Sequence, residues 1–178
     1  TLPSLAGHLG RAGYDLQYYY GGDADFTNMR SFLHNQGFQR IIEDKDFPLG
    51  ERLSKWGVPD HLLFGRVEKD IKGRAARRPA LTVIQTSSSH EPFDVPYHRL
   101  SNKILNAFAY TDSCIGSFVG HLRASRRWAN SFVILVPDHL GAWPDDISDF
   151  TTTRFHIPMI WTGGAVLRPR VVTTLGSQ

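Results

Sequence analysis

A carboxylate and an imidazole stand side by side at Asp138-His139, just past an apolar run that closes with Val136-Pro137. A hard oxygen donor beside a nitrogen donor suits zinc or manganese, and Gly141 lets the backbone turn sharply close by. Neighbouring residues of a strand point to opposite faces. Both can ligate one ion only where the chain has left the strand, and Pro137 makes such a departure possible. The other reading of this pair is an aspartate capping a turn beside an unrelated histidine. A second group is Ser87-Ser88-Ser89-His90, ahead of Glu91-Pro92-Phe93. Its hydroxyls and imidazole suit donation to an anionic oxygen, or else form a serine-lined turn with an exposed histidine. His156 offers a further nitrogen ligand or packs at a strand entrance. His8, His34, His61, His98 and His121 fall on helices or connectors and read as structural or exposed.

No nucleophile of the chain's own stands out: there is no G-x-S-x-G elbow, no P-loop and no G-x-G-x-x-G after a strand. Two ligands also leave a catalytic zinc site incomplete, since such sites use three or more protein ligands. The candidate residues therefore depend on how the surrounding elements gather them.

Helices alternate with short apolar runs along the chain. A first helix is expected over Leu2–Ala12, with Leu2, Leu5, Leu9 and Ala12 on one stripe and Gly13 as its stop. Asp15–Tyr20 reads as a strand closed by Gly21-Gly22-Asp23. A second helix is expected over Asp25–Gln36, with Phe26, Met29 and Leu33 inward, and a short strand over Phe38–Ile42. Lys45–Pro59 holds a short helix at most. Pro59 suits the first residue of a helix running to Ile71. Leu81–Gln85 is a strand, and Asn102–Ala124 is a long helix with Ile104, Phe108, Thr111, Ile115, Phe118 and Leu122 on one face. Cys114 adjoins that stripe and reads as core. Ser131–Val136 and Ile157–Trp161 complete the strands.

Continuous apolar strands separated by helices predict a three-layer α/β/α domain with a mainly parallel sheet. Binding groups in such sheets gather beyond the carboxyl ends of the strands. Four clusters would then share one edge: Gly21-Gly22-Asp23-Ala24-Asp25, Ser87 to Glu91, Pro137 to Gly141, and Thr162-Gly163-Gly164.

Composition narrows the classes. With 178 residues, 41% hydrophobic and 21% charged, the chain fits one globular domain and not a disordered one. No run approaches the ~18 apolar residues of a membrane span, and the amino terminus shows no signal-peptide pattern. The single cysteine excludes an internal disulfide framework and a cysteine-based zinc site. A formal charge of +3, from 20 Lys+Arg against 17 Asp+Glu, gives little reason to expect nucleic acid. The basic run Lys69–Arg78 carries no interleaved aromatic residue for base stacking and reads as solvated surface. Without an initiator methionine, and with a polar tail, the sequence is expected to be a piece of a larger protein.

Taken in order, several stretches resemble the sulfatase-like domain of the lipoteichoic-acid synthase (phosphoglycerol transferase) family, in the alkaline phosphatase superfamily. They are Leu2–Tyr20, Gln85–Phe93, Asn106–Asp112 and Val133–Gly141, the last with its Asp138-His139 pair. The resemblance covers nearly the whole chain and favours the metal reading of that pair. It implies that residues 1–178 are the carboxy-terminal part of one sulfatase-like domain. It also implies a divalent metal (manganese, magnesium or zinc) held by Asp138 and His139 together with a glutamate and a threonine nucleophile lying upstream. By the same resemblance His90 binds a non-bridging oxygen of the substrate, and Asn28 and Arg30 fall in the head-group region. There Thr27 stands where the family has a tryptophan, and Arg30 is displaced.

The implied activity is transfer or hydrolysis of a phospho- or sulfo-ester by way of a phosphothreonine, with a phospholipid- or glycan-linked substrate. The implied setting is the extracytoplasmic side of a cell membrane, anchored by helices of the full-length protein, and the fragment alone is expected to be inactive. Two alternatives stand beside it. A soluble sulfatase would need an oxidisable cysteine or serine upstream. A non-catalytic module binding an anionic glycan or lipid head group would take no tight metal and tolerate Asp138→Asn.

Overall fold

The computed structural model describes residues 3–53, 57–75, 78–140, 143–144, 147–148 and 150–174. Leu2, Gly141 and two positions of the basic run, 76 and 77, lie outside the described residues. The chain divides into two compact units, Thr1–Phe118 and Val119–Gln178.

The first unit is built on a parallel sheet. Its central strand β1 is Asp15–Tyr20, flanked by β2 (Arg40–Ile42) and β3 (Ala80–Gln85) in the order β2-β1-β3. Tyr20 lies opposite Gln85 and Tyr19 opposite Ile42, so all three strands end at one edge. The period of two divides β1 cleanly. Leu16 and Tyr18 pack with Ala6, Leu33 and Phe38, which come from α1 (Leu5–Arg11), α2 (Met29–Asn35) and the turn before β2. Tyr19 points the other way, where its hydroxyl meets Gln17 and Asp70 at 3.0 Å each. Asp70 belongs to α3 (Asp60–Gly73), so helices cover both faces of the sheet. The three-layer α/β expectation holds here.

Local chemistry sets the element ends. The Ser4 hydroxyl accepts the Gly7 N–H at 3.0 Å and starts α1 three residues later than the stripe suggests. Leu5, expected inward, is 65% exposed, and Ala6 is the α1 residue that reaches the core. Starting from the Ser4 cap, the helix turns Leu5 outward and presents Ala6 to the cluster of Leu33 and Phe38. The second expected helix is broken: Phe26–Asn28 forms a 3-10 turn with Thr27 and Asn28 at positive φ, and α2 starts only at Met29. That kink swings Phe26 outward, leaving it 53% exposed.

The long helix α4, Lys103–Arg123, buries Ala107, Tyr110, Thr111, Cys114 and Phe118 along one stripe; of the face expected from spacing only Thr111 and Phe118 are buried, while Ile104, Phe108, Ile115 and Leu122 are partly exposed. Phe118 packs on Phe64 of α3 with ring centres 5.1 Å apart. Cys114 is buried, and that burial raises its thiol pKa; it is core, as its spacing predicts. Buried Asn106 takes the N–H groups of Arg99 and Leu100 on its Oδ1 and donates to the Tyr97 carbonyl, pinning the segment that enters α4.

The second unit corrects one expectation. Its strands, β4 (Val133–Leu135) and β5 (Ile160–Thr162), pair antiparallel, with Leu135 opposite Ile160 and Val133 opposite Thr162. A continuous apolar run signals a buried strand but carries no direction. Phe132 and Trp161 meet edge to face at 5.3 Å, and Ile134, Val136, Ile160 and Trp161 stay exposed. Among the described residues, no helix is long and apolar enough to cross a membrane.

Candidate functional site

In the second unit, the carboxyl end of β4 carries the Asp138-His139 pair. The chain has left the strand by Pro137, as required for both side chains to serve one centre. His139 Nδ1 lies 2.7 Å from the Leu140 carbonyl, so Nδ1 carries a proton there and Nε2 is the ring nitrogen left to take a metal. Nε2 is 3.4 Å from Asp138 Oδ2. Two donors ~2.0–2.2 Å from one ion at the tetrahedral angle stand roughly 3.3–3.6 Å apart, so the spacing of this pair matches that of two ligands to one divalent cation. Asp138 Oδ1 accepts the His139 N–H at 2.9 Å, which orients the carboxylate. The Leu140 N–H donates to the Arg154 carbonyl at 2.8 Å and so fixes the turn from the far side.

Antiparallel pairing redistributes the other candidates of this unit. Thr162-Gly163-Gly164 follows β5 and lies at the opposite end of the β4–β5 ladder from Asp138-His139, so these two clusters do not share an edge. The glycines there serve close backbone packing: Gly163 has φ +117, and a Cβ on it would fall 2.1 Å from the Ser131 carbonyl oxygen. His156 is exposed and precedes β5, on the side of the ladder where Asp138-His139 emerges.

In the first unit, the common edge of β1, β2 and β3 brings together the two clusters expected there. Beyond β3, the His90 N–H donates to Ser87 O at 3.1 Å and the Phe93 N–H to His90 O at 2.9 Å, making a compact turn with His90 exposed at its tip. Gly57, Pro59, Ser88, Pro92 and Asp94 line a recess with it. Beyond β1 and β2, Asp23 of the first cluster meets Glu43 and Asp44, two acids that the sequence motifs do not mark. Ligand oxygens of Asp23, Glu43 and Asp44 all lie within 4.8 Å of one another.

These carboxylates are largely engaged, although the buried Asp44 Oδ1 has no hydrogen-bond partner. Glu43 Oε2 accepts the Ala24 N–H at 2.8 Å, and its Oε1 pairs with Arg30. Asp23 Oδ1 meets the Asp25 N–H and Lys45 Nζ, and Asp44 Oδ2 meets Arg52 at 3.3 Å. This corner is an ion-pair network in which Arg30, Lys45 and Arg52 face Asp23, Asp25, Glu43 and Asp44. Bonds from Arg30, then from Lys45, pull the exposed Asp25 carboxyl down to about 2. Asp23 is also lowered, chiefly by the Asp25 N–H and then by Lys45.

Asn28 and Arg30 flank this corner. Asn28 is exposed, in left-handed geometry at φ 63. Arg30 is held through Nε by Asp25 at 2.6 Å and through Nη2 by Glu43. Sequence reading missed Glu43 and Asp44 because a three-residue strand gives too weak a pattern to mark the residues beyond its end. The available signal was the pair of acids Glu43 and Asp46, which form a reciprocal capping box over the next turn.

Comparison with known proteins agrees with this fold. The sulfatase family matches residues 1–178. Phosphoglycerol transferase I of Xanthomonas axonopodis pv. citri is 28% identical over 97% of this chain and 27% of its own length. A protein in the alkaline phosphatase superfamily from Vibrio parahaemolyticus, solved by crystallography, superposes with a TM-score of 0.77 at 29% identity, over 89% of this chain and 40% of that one. The lipoteichoic acid synthase LtaP from Listeria monocytogenes superposes with a TM-score of 0.79 at 21% identity, over 94% of this chain and 48% of that one. The chain thus spans about a quarter of the length of the curated relatives it matches, and under half of each solved one.

Proposed function

Because this chain belongs to the sulfatase family, within the alkaline phosphatase superfamily, we propose that it supplies metal-binding and substrate-binding residues to an enzyme that transfers a phospho-ester group. The observation that carries the proposal is the Asp138–His139 pair, with Nε2 and Oδ2 held 3.4 Å apart and the ring tautomer set by Leu140. Asp138 and His139 are the ligands this chain gives to manganese, magnesium or zinc. A glutamate and a threonine outside residues 1–178 complete the set. When bound, the divalent ion supplies charge neutralisation at the attacked group and a lowered pKa for the attacking hydroxyl.

The chain's own residues bind and orient. The His90 imidazole donates to a non-bridging oxygen of the phosphoryl group and steadies it during in-line displacement. Asn28 offers its amide to the head group. Arg30 reaches it through Nη1, the guanidinium nitrogen that neither Asp25 nor Glu43 engages. The threonine oxygen forms a bond to phosphorus as the bond to the leaving alcohol breaks, and an acceptor alcohol then takes the group from the phosphothreonine. The relatives named phosphoglycerol transferase and lipoteichoic acid synthase favour a glycerol phosphate carried by a membrane lipid as donor, and an extracytoplasmic setting with the anchor elsewhere in the full-length protein.

Elemental analysis of the full-length enzyme, beside its Asp138→Ala/His139→Ala double variant, tests this reading. About one equivalent of manganese or zinc in the parent, none in the variant, and loss of phospho-ester transfer with the metal are expected. Full activity in the metal-free double variant would refute it.

A further inference from the structure

One fully buried carboxyl in the first unit takes no part in the chemistry above, yet it holds the two peptide N–H groups from which the His90 turn springs. Asp60 is the first residue of α3 and is 0% exposed. Its Oδ1 accepts the N–H groups of Ser87 at 3.1 Å and Ser88 at 3.2 Å, and its Oδ2 accepts the Thr111 hydroxyl at 2.7 Å. The clamp also closes in reverse, since the Asp60 N–H donates to Ser88 Oγ at 3.0 Å. The turn carrying His90 begins on the carbonyl of Ser87, the residue whose N–H Asp60 holds.

The physical reason for an acid here is specific. Ser87 and Ser88 lie just past β3, where two successive N–H groups have lost the strand ladder. A buried N–H left without an acceptor is costly. One carboxyl oxygen satisfies both, and a negative group at the first turn of a helix is favoured by the helix dipole. The imidazole Nδ1 lies 3.1 Å from the Glu91 carbonyl, within the same turn, so the ring moves with the backbone beneath it.

We propose that Asp60 is the positioning residue of the His90 turn: it locks the Ser87-Ser88 peptides to the start of α3 and to Thr111 of α4, and thereby fixes where the imidazole meets the phosphoryl oxygen. This rests on the reading of His90 as a substrate contact. Asp60 touches no substrate itself. A fully satisfied buried network of this kind specifies one arrangement of its loop, and a displacement of about 1 Å at a reacting group costs on the order of 100-fold in rate.

The test uses the full-length enzyme and five variants: Asp60→Ala, Asp60→Asn, Thr111→Val, His90→Ala and the Asp60→Ala/His90→Ala double. Asp60→Ala is expected to lower kcat roughly 10- to 100-fold with metal content retained. Asp60→Asn is expected to restore turnover to within about threefold, because its Oδ1 accepts the same two N–H groups and the Thr111 hydroxyl turns to accept from Nδ2. Thr111→Val, the milder change that keeps the test open should Asp60→Ala fail to fold, is expected to cost about two- to tenfold. In the His90→Ala background, Asp60→Ala should add less than about twofold.

Nuclear magnetic resonance of the Ser87–His90 amides supplies a readout independent of turnover. These signals should shift or broaden in Asp60→Ala and keep their positions in Asp60→Asn. Equal losses in Asp60→Ala and Asp60→Asn, unmoved loop signals, or an undiminished Asp60→Ala effect without His90 would each overturn the proposal. A His90→Ala enzyme with unimpaired turnover would overturn the role of His90 and the catalytic consequence of Asp60. Disturbed loop signals in Asp60→Ala would then place the error in the function of His90 and not in the clamp.

Discussion

Gly57→Ala is the sharpest test of how the edge of the first unit is assembled. Gly57 has φ +94, and a Cβ built there would lie 1.8 Å from the Gly21 carbonyl oxygen and 2.9 Å from Gly22 Cα. Both neighbours are backbone at the exit of β1, so no side chain can swing aside. The strained φ alone costs an L residue about 1–2 kcal/mol. Overpacking adds about 1–3 kcal/mol, and losing the 2.9 Å bond from the Val58 N–H to Gly21 O adds about 0.5–1.5 kcal/mol. The expected destabilisation is roughly 3–6 kcal/mol, a large part of the ~5–15 kcal/mol by which a domain is stable.

Urea unfolding followed by circular dichroism reads this directly, as a lower midpoint at unchanged slope. Gly65→Ala is the internal control: Gly65 is exposed in α3 with no atom within 4 Å of the added carbon. That change should stabilise by up to about 1 kcal/mol. A Gly57→Ala protein within about 0.5 kcal/mol of the parent would refute the close approach of Gly57 to the end of β1.

High pH should unfold the first unit. Burial, then neighbouring Tyr20, pushes Tyr18 up to about 12; burial, then the bond to Asp70, pushes Tyr19 up to about 12. Groups whose folded pKa is raised contribute stability fully present below about pH 10 and lost as pH rises through 12. Tyrosinate absorbance and circular dichroism should therefore change together in that window, and separate transitions would contradict the packing of β1. Arg30→Ala removes the partner of nearly buried Glu43 and should destabilise by about 1–3 kcal/mol, with Arg30→Lys recovering part of it by urea unfolding. A neutral Arg30→Ala would show that solvent already screens the pair.

Legibility from sequence followed signal strength. β1 was readable to the residue, because Gly13 and Gly21-Gly22 bracket a run that ends in three tyrosines, and the 21 residues of α4 are long enough to show the helix, though its buried face is turned from the expected one. Cys114 was placed in the core from its position beside the expected face. Where elements shrink to three residues, periodicity has nothing to repeat, and direction is invisible in a run of apolar side chains. Hence β4 and β5 were found but not their antiparallel pairing, which separates Thr162-Gly163-Gly164 from Asp138-His139. The break at Thr27-Asn28 was missed because neither residue forbids a helix. Asp60 was read only as part of a helix start, since its value lies in long-range partners, 27 to 51 positions away along the chain.

The buried thiol of Cys114 has a practical corollary. Being the chain's single cysteine, it can be modified by a thiol reagent only when α4 lifts from its neighbours, and its raised pKa slows even that reaction. Labelling rate against reagent concentration thus becomes a clock for the opening of this helix, with no engineered probe. The same clock would register any ligand that draws the first unit tighter, because the thiol would then be reached less often.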